Sequence, residues 1–143
     1  MPGGEEEAPR LLLDTCAMIW VAEGAPLRQE ARTLLERAET GGEIWVSPIS
    51  AWEIGLLMAR GRIVGARSPS AWFAEFVEHP AVTLAPMPPE LLIASSWLPG
   101  DPPPDPADRI IIATARQYGL SIMTRDARIL DYAAAGHVRA VKC

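Results

Sequence analysis

The run Arg10-Leu11-Leu12-Leu13-Asp14-Thr15 decides the fold. Three consecutive leucines offer no polar face, so residues 10–13 read as a β-strand buried on both sides. A strand of that kind belongs to a parallel sheet sandwiched between helices. Asp14 then stands just past its carboxyl end, the edge at which open α/β sheets build their sites.

The rest of the chain keeps the same alternation. A helix is expected over 16–22, closed by Gly24, and a second from Pro26 through 37, ended by Gly41-Gly42. Leu27, Ala31, Leu34 and Leu35 form the apolar side of that second helix. A strand follows at 43–46. Ser47-Pro48 and Ser68-Pro69 each join a capping serine to a proline at the first helical position, and start helices that reach about 60 and 77. A strand at 81–85 and a helix from Pro88-Pro89 to about 97 come next. The proline-rich stretch 98–104 is a loop. Asp105-Pro106 opens a helix that closes at Gly119, followed by a strand at 120–124, a helix at 127–135 and a strand at 138–141. Strands separated by helices predict a three-layer α/β/α sandwich with a mainly parallel central sheet. It forms one domain over 10–143, behind a disordered lead over 1–9.

Composition narrows the function classes. With 143 residues, 49% of them hydrophobic and 22% charged, the chain suits a soluble globular protein. No apolar run reaches the ~20 residues of a membrane span, and the start lacks the pattern of a signal peptide. Cys16 and Cys143 make no disulfide framework, so a cytoplasmic location is expected. The net charge of −5 does not argue against nucleic acid, because Glu5, Glu6 and Glu7 lie in the lead. Arg60, Arg62, Arg109, Arg116, Arg125 and Arg128 recur beside the segments of interest. No glycine-rich phosphate loop is present, which disfavours a nucleotide cofactor. Lys142 is the only lysine, and Asp14-Thr15-Cys16 lacks the second acid of an aspartyl-phosphate phosphatase.

Three further acids lie beside core segments. Glu53 is inside the apolar helix 49–57, Asp108 opens the run Ile110-Ile111-Ile112, and Asp126 follows the strand ending at Thr124. Local structure accounts for some of them. Asp14, Asp105 and Asp126 are each placed to cap a helix, and Asp105 reads mainly as a cap. Glu53 is too far into its helix to cap it and has only Arg60, two turns on, as an ion-pair partner. Asp108 shares a helix face with Ile111, Ile112 and Ala115, which puts its carboxylate beside a buried surface. Carboxylates beside a core are costly unless something offsets the charge, and a divalent cation would do so. Cys16 reads as a small buried residue. Of the five tryptophans, Trp20 and Trp52 are the candidates for an interface.

At Leu11-Leu12-Leu13-Asp14-Thr15, Ile49-Ser50-Ala51-Trp52-Glu53-Ile54, Asp105-Pro106-Ala107-Asp108-Arg109 and Thr124-Arg125-Asp126, the chain resembles the PIN-domain ribonucleases. Within them it is most similar to the VapC-type toxins of bacterial toxin–antitoxin modules. The order and spacing agree from about residue 10 onward. The resemblance implies a PIN-like sandwich, a carboxylate cluster that binds Mg²⁺ or Mn²⁺, hydrolysis of RNA, a homodimer, and neutralisation by a small VapB-type antitoxin. Carried over residue by residue, Asp14, Glu53, Asp108 and Asp126 match the acidic, metal-ligating positions, with Thr15 and Thr124 the hydroxyls beside them. Asp105 matches a secondary acid of one subgroup. Cys16 stands where that subgroup often has His, and Pro104 where a polar residue is usual.

Asp14 and Asp108 are the expected first ligands, Glu53 and Asp126 complete the set, and Arg109 and Arg125 are expected at the RNA backbone. Helices at 27–37 and 48–60 are the expected walls of an antitoxin groove. Two rival readings remain at the level of sequence. One is a non-catalytic PIN-like module that acts through protein association. The other is a DNA-directed flap nuclease, for which the chain is short.

Overall fold

Residues 8–62 and 67–143 are described by a computed structural model. Five strands form one parallel sheet: β1 (Leu11–Leu13), β2 (Ile44–Val46), β3 (Val82–Leu84), β4 (Ser121–Thr124) and β5 (Arg139–Lys142), in the order β3-β2-β1-β4-β5. Among the described residues, seven helices connect them: α1 (Thr15–Glu23), α2 (Gln29–Gly41), α3 (Pro48–Ala59), α4 (Pro69–Glu78), α5 (Pro89–Ser96), α6 (Pro106–Tyr118) and α7 (Ala127–Ala134). The triple leucine is the central strand, and its three side chains are at most 1% exposed.

The period of two along each strand builds two cores. Leu11, Leu13, Ile44, Val46 and Met123 face one side with Ala17, Met18, Ala31 and Ala38, against which Trp72 and Phe76 pack. Leu12 and Ile122 face the other with Ile111, Ile112, Ala115, Ile129 and Tyr132, joined by Trp45. The expected α/β/α sandwich is therefore the observed one. β1 pairs with β2 on one side and with β4 on the other. The sheet's order reverses between β1 and β4, and there their carboxyl ends diverge into loops.

Most expected boundaries hold within two residues. Ser47, Ser68, Asp105 and Asp126 are the caps of their helices, and Gly24 and Gly119 close α1 and α6 in the left-handed region. The strands are shorter than expected at their starts. Just before β1 and β2, the Arg10 and Glu43 carbonyls still accept from Ser121 N and Leu11 N, while their side chains form an ion pair at 3.2 Å and Trp45 Nε1 donates to Glu43 at 2.7 Å.

The start of α2 departs further. Pro26 does not open the helix, which begins at Gln29. The Pro26 carbonyl accepts from Arg125, and the Arg28 N–H donates to the Cys143 carbonyl at 3.1 Å, so 26–28 is an extended tie to the β4–β5 side. The expected disordered lead falls mostly outside the described residues. Ala8, at its end, already lies against Gly41 of α2.

Candidate active site

Two strand ends provide the floor of the site. Asp14 ends β1 and caps α1, with Oδ1 accepting from the Ala17 N–H at 2.8 Å. Its Oδ2 accepts from the Thr124 hydroxyl at 2.5 Å, which ties the end of β1 to the end of β4. The Thr124 hydroxyl oxygen in turn accepts the Asp126 N–H at 2.9 Å. Asp126 then caps α7, with Oδ1 accepting from Arg128 N at 2.8 Å and Ile129 N at 3.2 Å. Both acids are caps, as their sequence positions allow. They are also brought together, because the two strands they end are neighbours.

Two helices supply the other side. Glu53, in the second turn of α3, accepts a very short hydrogen bond from the Thr15 hydroxyl at the start of α1. Thr15 Oγ1 also lies 2.9 Å from Ser50 Oγ. Since the Thr15 proton goes to Glu53, Ser50 is the donor of that second bond. Glu53 is thus held by Thr15 and, among the described residues, has no ion pair with Arg60. Asp108 lies in the first turn of α6, where Asp105 Oδ2 accepts its backbone N–H at 2.9 Å. Its own carboxylate takes no hydrogen bond among the described residues.

The electrostatics show how close these groups are. Burial raises the Asp14 carboxyl above its usual pKa; the bonds from Thr124 and Ala17 pull it down and Asp126 pushes it up. Glu53 is raised by burial, then by Asp105 and Asp14, against the lowering effect of Thr15. Asp108 reaches about 7, through burial first and then Asp105, Asp126, Glu53 and Asp14. Among the described residues, no Arg or Lys forms an ion pair with any of these five acids. No three His, Cys, Asp or Glu side chains among the described residues meet closely enough to form a ready cage. The acids surround one region as mutually repelling neighbours; the fold engages the side chains of Asp14, Glu53, Asp105 and Asp126 and leaves that of Asp108 without a hydrogen bond among the described residues.

Cys16 is exposed, not buried as its size and sequence setting suggest. It follows Thr15 at the start of α1, where Thr15, Ala17 and Met18 take the buried positions. Desolvation, followed by Asp14, Glu53, Asp126 and Asp108, holds the thiol up at about 11, so it is no nucleophile at neutral pH.

The two arginines expected at a nucleic-acid backbone are both engaged by the fold. Arg109 Nε donates to the Pro103 carbonyl at 2.8 Å. Arg125 lies 3.9 Å from the centre of the Trp20 ring and donates to the Pro26 and Cys143 carbonyls. Trp20 is thereby half-buried under a cation, whereas Trp52 is 58% exposed.

The PIN domain family matches residues 11–135, which run from β1 through α7 and include every acid described above. The chain belongs to the PIN-domain family. It is 34% identical over 123 residues to Ribonuclease VapC22 of Mycobacterium tuberculosis, covering 85% of this chain and 91% of that protein. Its fold is similar to that in the crystal structure of VapBC2 from Rickettsia felis bound to a DNA fragment from their promoter. There the TM-score is 0.62 at 10% identity, covering 92% of this chain and 97% of that one. It is also similar to FitAcB from Neisseria gonorrhoeae, with a TM-score of 0.54 at 20% identity over 91% and 95% of the two chains.

The candidate site in this PIN domain has one member that sequence reasoning missed. Ser50 is fully buried and supports Thr15, which holds Glu53. The signal was its position three residues before Glu53, on the same face of α3.

Proposed function

We propose that this PIN-domain protein is a divalent-metal-dependent endoribonuclease toxin of VapC type, neutralised by a cognate antitoxin. One observation carries the reading: five carboxylates gather around the β1–β4 edge with no arginine or lysine ion-paired to them among the described residues, and burial with the neighbouring acids raises the pKa of Asp14, Glu53 and Asp108. The donor set is entirely oxygen and suits a hard cation such as Mg²⁺ or Mn²⁺. Asp14, Asp108, Glu53 and Asp126 would hold it, and Asp105 adds negative charge from the cap of α6. When bound, the ion supplies charge neutralisation at the scissile phosphate and acidifies a water nucleophile.

The chain's own groups do the positioning. Thr124 fixes Asp14 and Asp126 in register, and Ser50 with Thr15 fixes Glu53. These hydroxyls orient carboxylates, as outer-shell groups of metal sites do. Arg109 and Arg125 keep guanidinium N–H groups beyond their carbonyl bonds, and those remain for RNA phosphates. Purified protein should cleave single-stranded RNA only with Mg²⁺ or Mn²⁺ added, and Asp14→Asn and Asp108→Asn should abolish it. Cleavage at equal rates by wild type and both variants would sink the assignment.

For the antitoxin, the helices over 27–37 and 48–60 are the expected walls, and a pocket beside α2 is a further candidate. This pocket, of about 430 Å³, lies between the end of α1, α2, α4 and the β2–β3 edge, floored by Val21, Ile44, Trp72, Phe76 and Val82. Its rim carries Glu39, His79 and the ion-paired Arg67 and Glu75. An apolar floor with a charged rim suits an amphipathic segment of a small partner. For the homodimer, α3 and α5 both flank α6 and carry exposed Trp52, Leu92 and Ile93, with Trp97 at the end of α5 at 83% exposure. Sedimentation of a Trp52→Glu, Trp97→Glu variant should show a monomer where the parent is a dimer.

A further inference from the structure

A second pocket, of about 420 Å³, lies where the loop 98–104 meets α7. Both of its walls start at the acids. The loop runs directly into Asp105 and Asp108 on α6, and α7 begins at the Asp126 cap. The pocket is preformed. Arg109 Nε holds the Pro103 carbonyl at 2.8 Å, and the Tyr132 hydroxyl holds the Pro99 carbonyl at 2.5 Å. The His137 ring stacks on Tyr132 with centroids 4.8 Å apart and lies against Gly100. A Cβ at position 100 would come within 2.5 Å of His137 Nε2, and φ there is +70°, so the loop seats on the ring only because residue 100 is glycine.

Three charged side chains line the pocket: Arg128 in the first turn of α7, Asp131 one turn further on, and Asp101 from the loop. All three are exposed. Among the described residues, none of their side chains has a hydrogen bond or ion pair, even though Arg128 and Asp131 are at helical pairing distance. The fold uses Arg109 and Arg125 as struts but leaves Arg128 unengaged beside the acids.

The chemistry of the three groups differs by position. Arg128 lies in the first turn of α7, next to the Asp126 cap, and lines the pocket, so it is the pocket's cation for a phosphate arriving at the acidic edge. Asp101 and Asp131 would repel a phosphate, but they accept hydrogen bonds from base amino groups. Asp131 is five residues beyond Asp126, roughly 7.5 Å along the helix. That is the reach of a base attached next to a phosphate held at the edge.

We propose that the pocket between the proline loop and α7 is a nucleotide subsite beside the scissile phosphate. It takes one unpaired base bearing an exocyclic amino group against Asp101 and Asp131, with Arg128 on the adjoining phosphate. Guanine, cytosine and adenine offer such donors. Uracil has no exocyclic amino group, and its single edge donor, N3–H, is flanked by two carbonyl oxygens that the aspartates repel, so it is disfavoured. The subsite rests on the ribonuclease reading above and adds to it a base preference that the acidic cluster alone does not supply.

The test is binding of labelled single-stranded oligonucleotides that differ at one position, by the full chain carrying Asp14→Asn so that RNA is not cut, with Mn²⁺ present. At one position uracil should bind about tenfold more weakly than the other bases. Adding Asp131→Asn should narrow that gap. Arg128→Ala should weaken all the oligonucleotides about tenfold and lower the salt dependence, with Arg128→Lys in between. Ala135→Phe, which fills the pocket from the exposed end of α7, should erase the base preference, and melting curves report whether each variant is folded. Wild type that cleaves RNA while the oligonucleotides bind alike in every variant overturns the subsite and leaves the nuclease standing. Base-selective binding that needs Arg128 and Asp131, without metal-dependent cleavage, overturns the nuclease and leaves a base pocket. No RNA binding at all overturns both.

Discussion

The two halves of the acidic site are built differently. On the strand side, Asp14 and Asp126 accept three backbone N–H bonds between them, and one threonine hydroxyl links both. On the helix side, Glu53 has a single hydroxyl and the Asp108 carboxylate has no hydrogen bond among the described residues. The same chemical group is therefore fixed on one side and loosely held on the other. Burial raises Asp14, and the Thr124 and Ala17 bonds pull it back down, whereas no hydrogen bond offsets the rise of Asp108 to about 7. The difference assigns the strand side to geometry and the helix side to response: Asp108 gains most when positive charge arrives.

That contrast can be broken at either half. The largest effect is expected from Asp14. Asp14→Asn should retain the fold and lose RNA cleavage by at least about a hundredfold. Asp14→Ala should lose activity equally and also about 1–3 kcal/mol of stability, since the α1 cap and the Thr124 bond go together, as denaturant melts will show. Asp108→Asn should cost about as much activity but move stability the other way. Its folded pKa of about 7 lies above the ordinary 3.8, so the folded chain keeps a proton that the unfolded chain has already released. Stability therefore falls as pH rises from about 4 through 7, and the asparagine escapes that loss. In metal-free buffer at pH 8 the variant should be more stable than wild type, on the order of 1 kcal/mol after discounting for partial exposure, with the gain vanishing toward pH 4.

Metal titration sharpens the comparison. Calorimetry with Mn²⁺ should show affinity rising about tenfold per pH unit below 7 and levelling above it, with one proton released, because Asp108 must ionise to bind. The same experiment on Thr15→Val or Ser50→Ala should show losses of roughly tenfold, as for other supporting groups in metal sites. The smallest effect is expected at Asp105. Asp105→Ala removes the α6 cap at a cost of about 1 kcal/mol and shifts the pH profile of Mn²⁺ binding to lower pH, because Asp105 is the largest charged contributor to the raised Asp108. A profile unmoved by Asp105→Ala would count against that coupling.

The sheet and its edge were legible because they depend on local signals. A continuous apolar triplet, serine–proline helix starts and glycine stops are backbone statements, and they place Asp14 and Asp126 without reference to distant residues. Capping and site membership read as alternatives in sequence, yet Asp14, Asp105 and Asp126 are caps at the same edge. A cap lies at a helix N-terminus, and in a parallel sheet those N-termini gather where the strands end. What was not legible depends on pairings far apart in the chain. Nothing near Pro26 announces that its carbonyl will be taken by Arg125, so the α2 start was misplaced by three residues. Nothing near Glu53 announces Thr15, so Arg60 was the visible partner and Ser50 was passed over. Cys16 looked buried by composition, but its rotation on α1 was set by Ala17 and Met18 on the core side. Trp97 caps the C-terminus of a short helix with almost no apolar sidedness, where periodicity gives no warning that a large ring will be exposed.

The hydrogen bond between Thr124 and Asp14 spans 110 positions of the chain. It also joins the first strand to the fourth, so it forms only after residue 124 has left the ribosome. A nascent chain that already holds β1, β2 and β3 has Asp14 and Glu53 but neither Asp108 nor Asp126. For a protein whose proposed activity destroys RNA, the order of synthesis is itself a safeguard: the translating message is spared by a polypeptide that is not yet able to cut it.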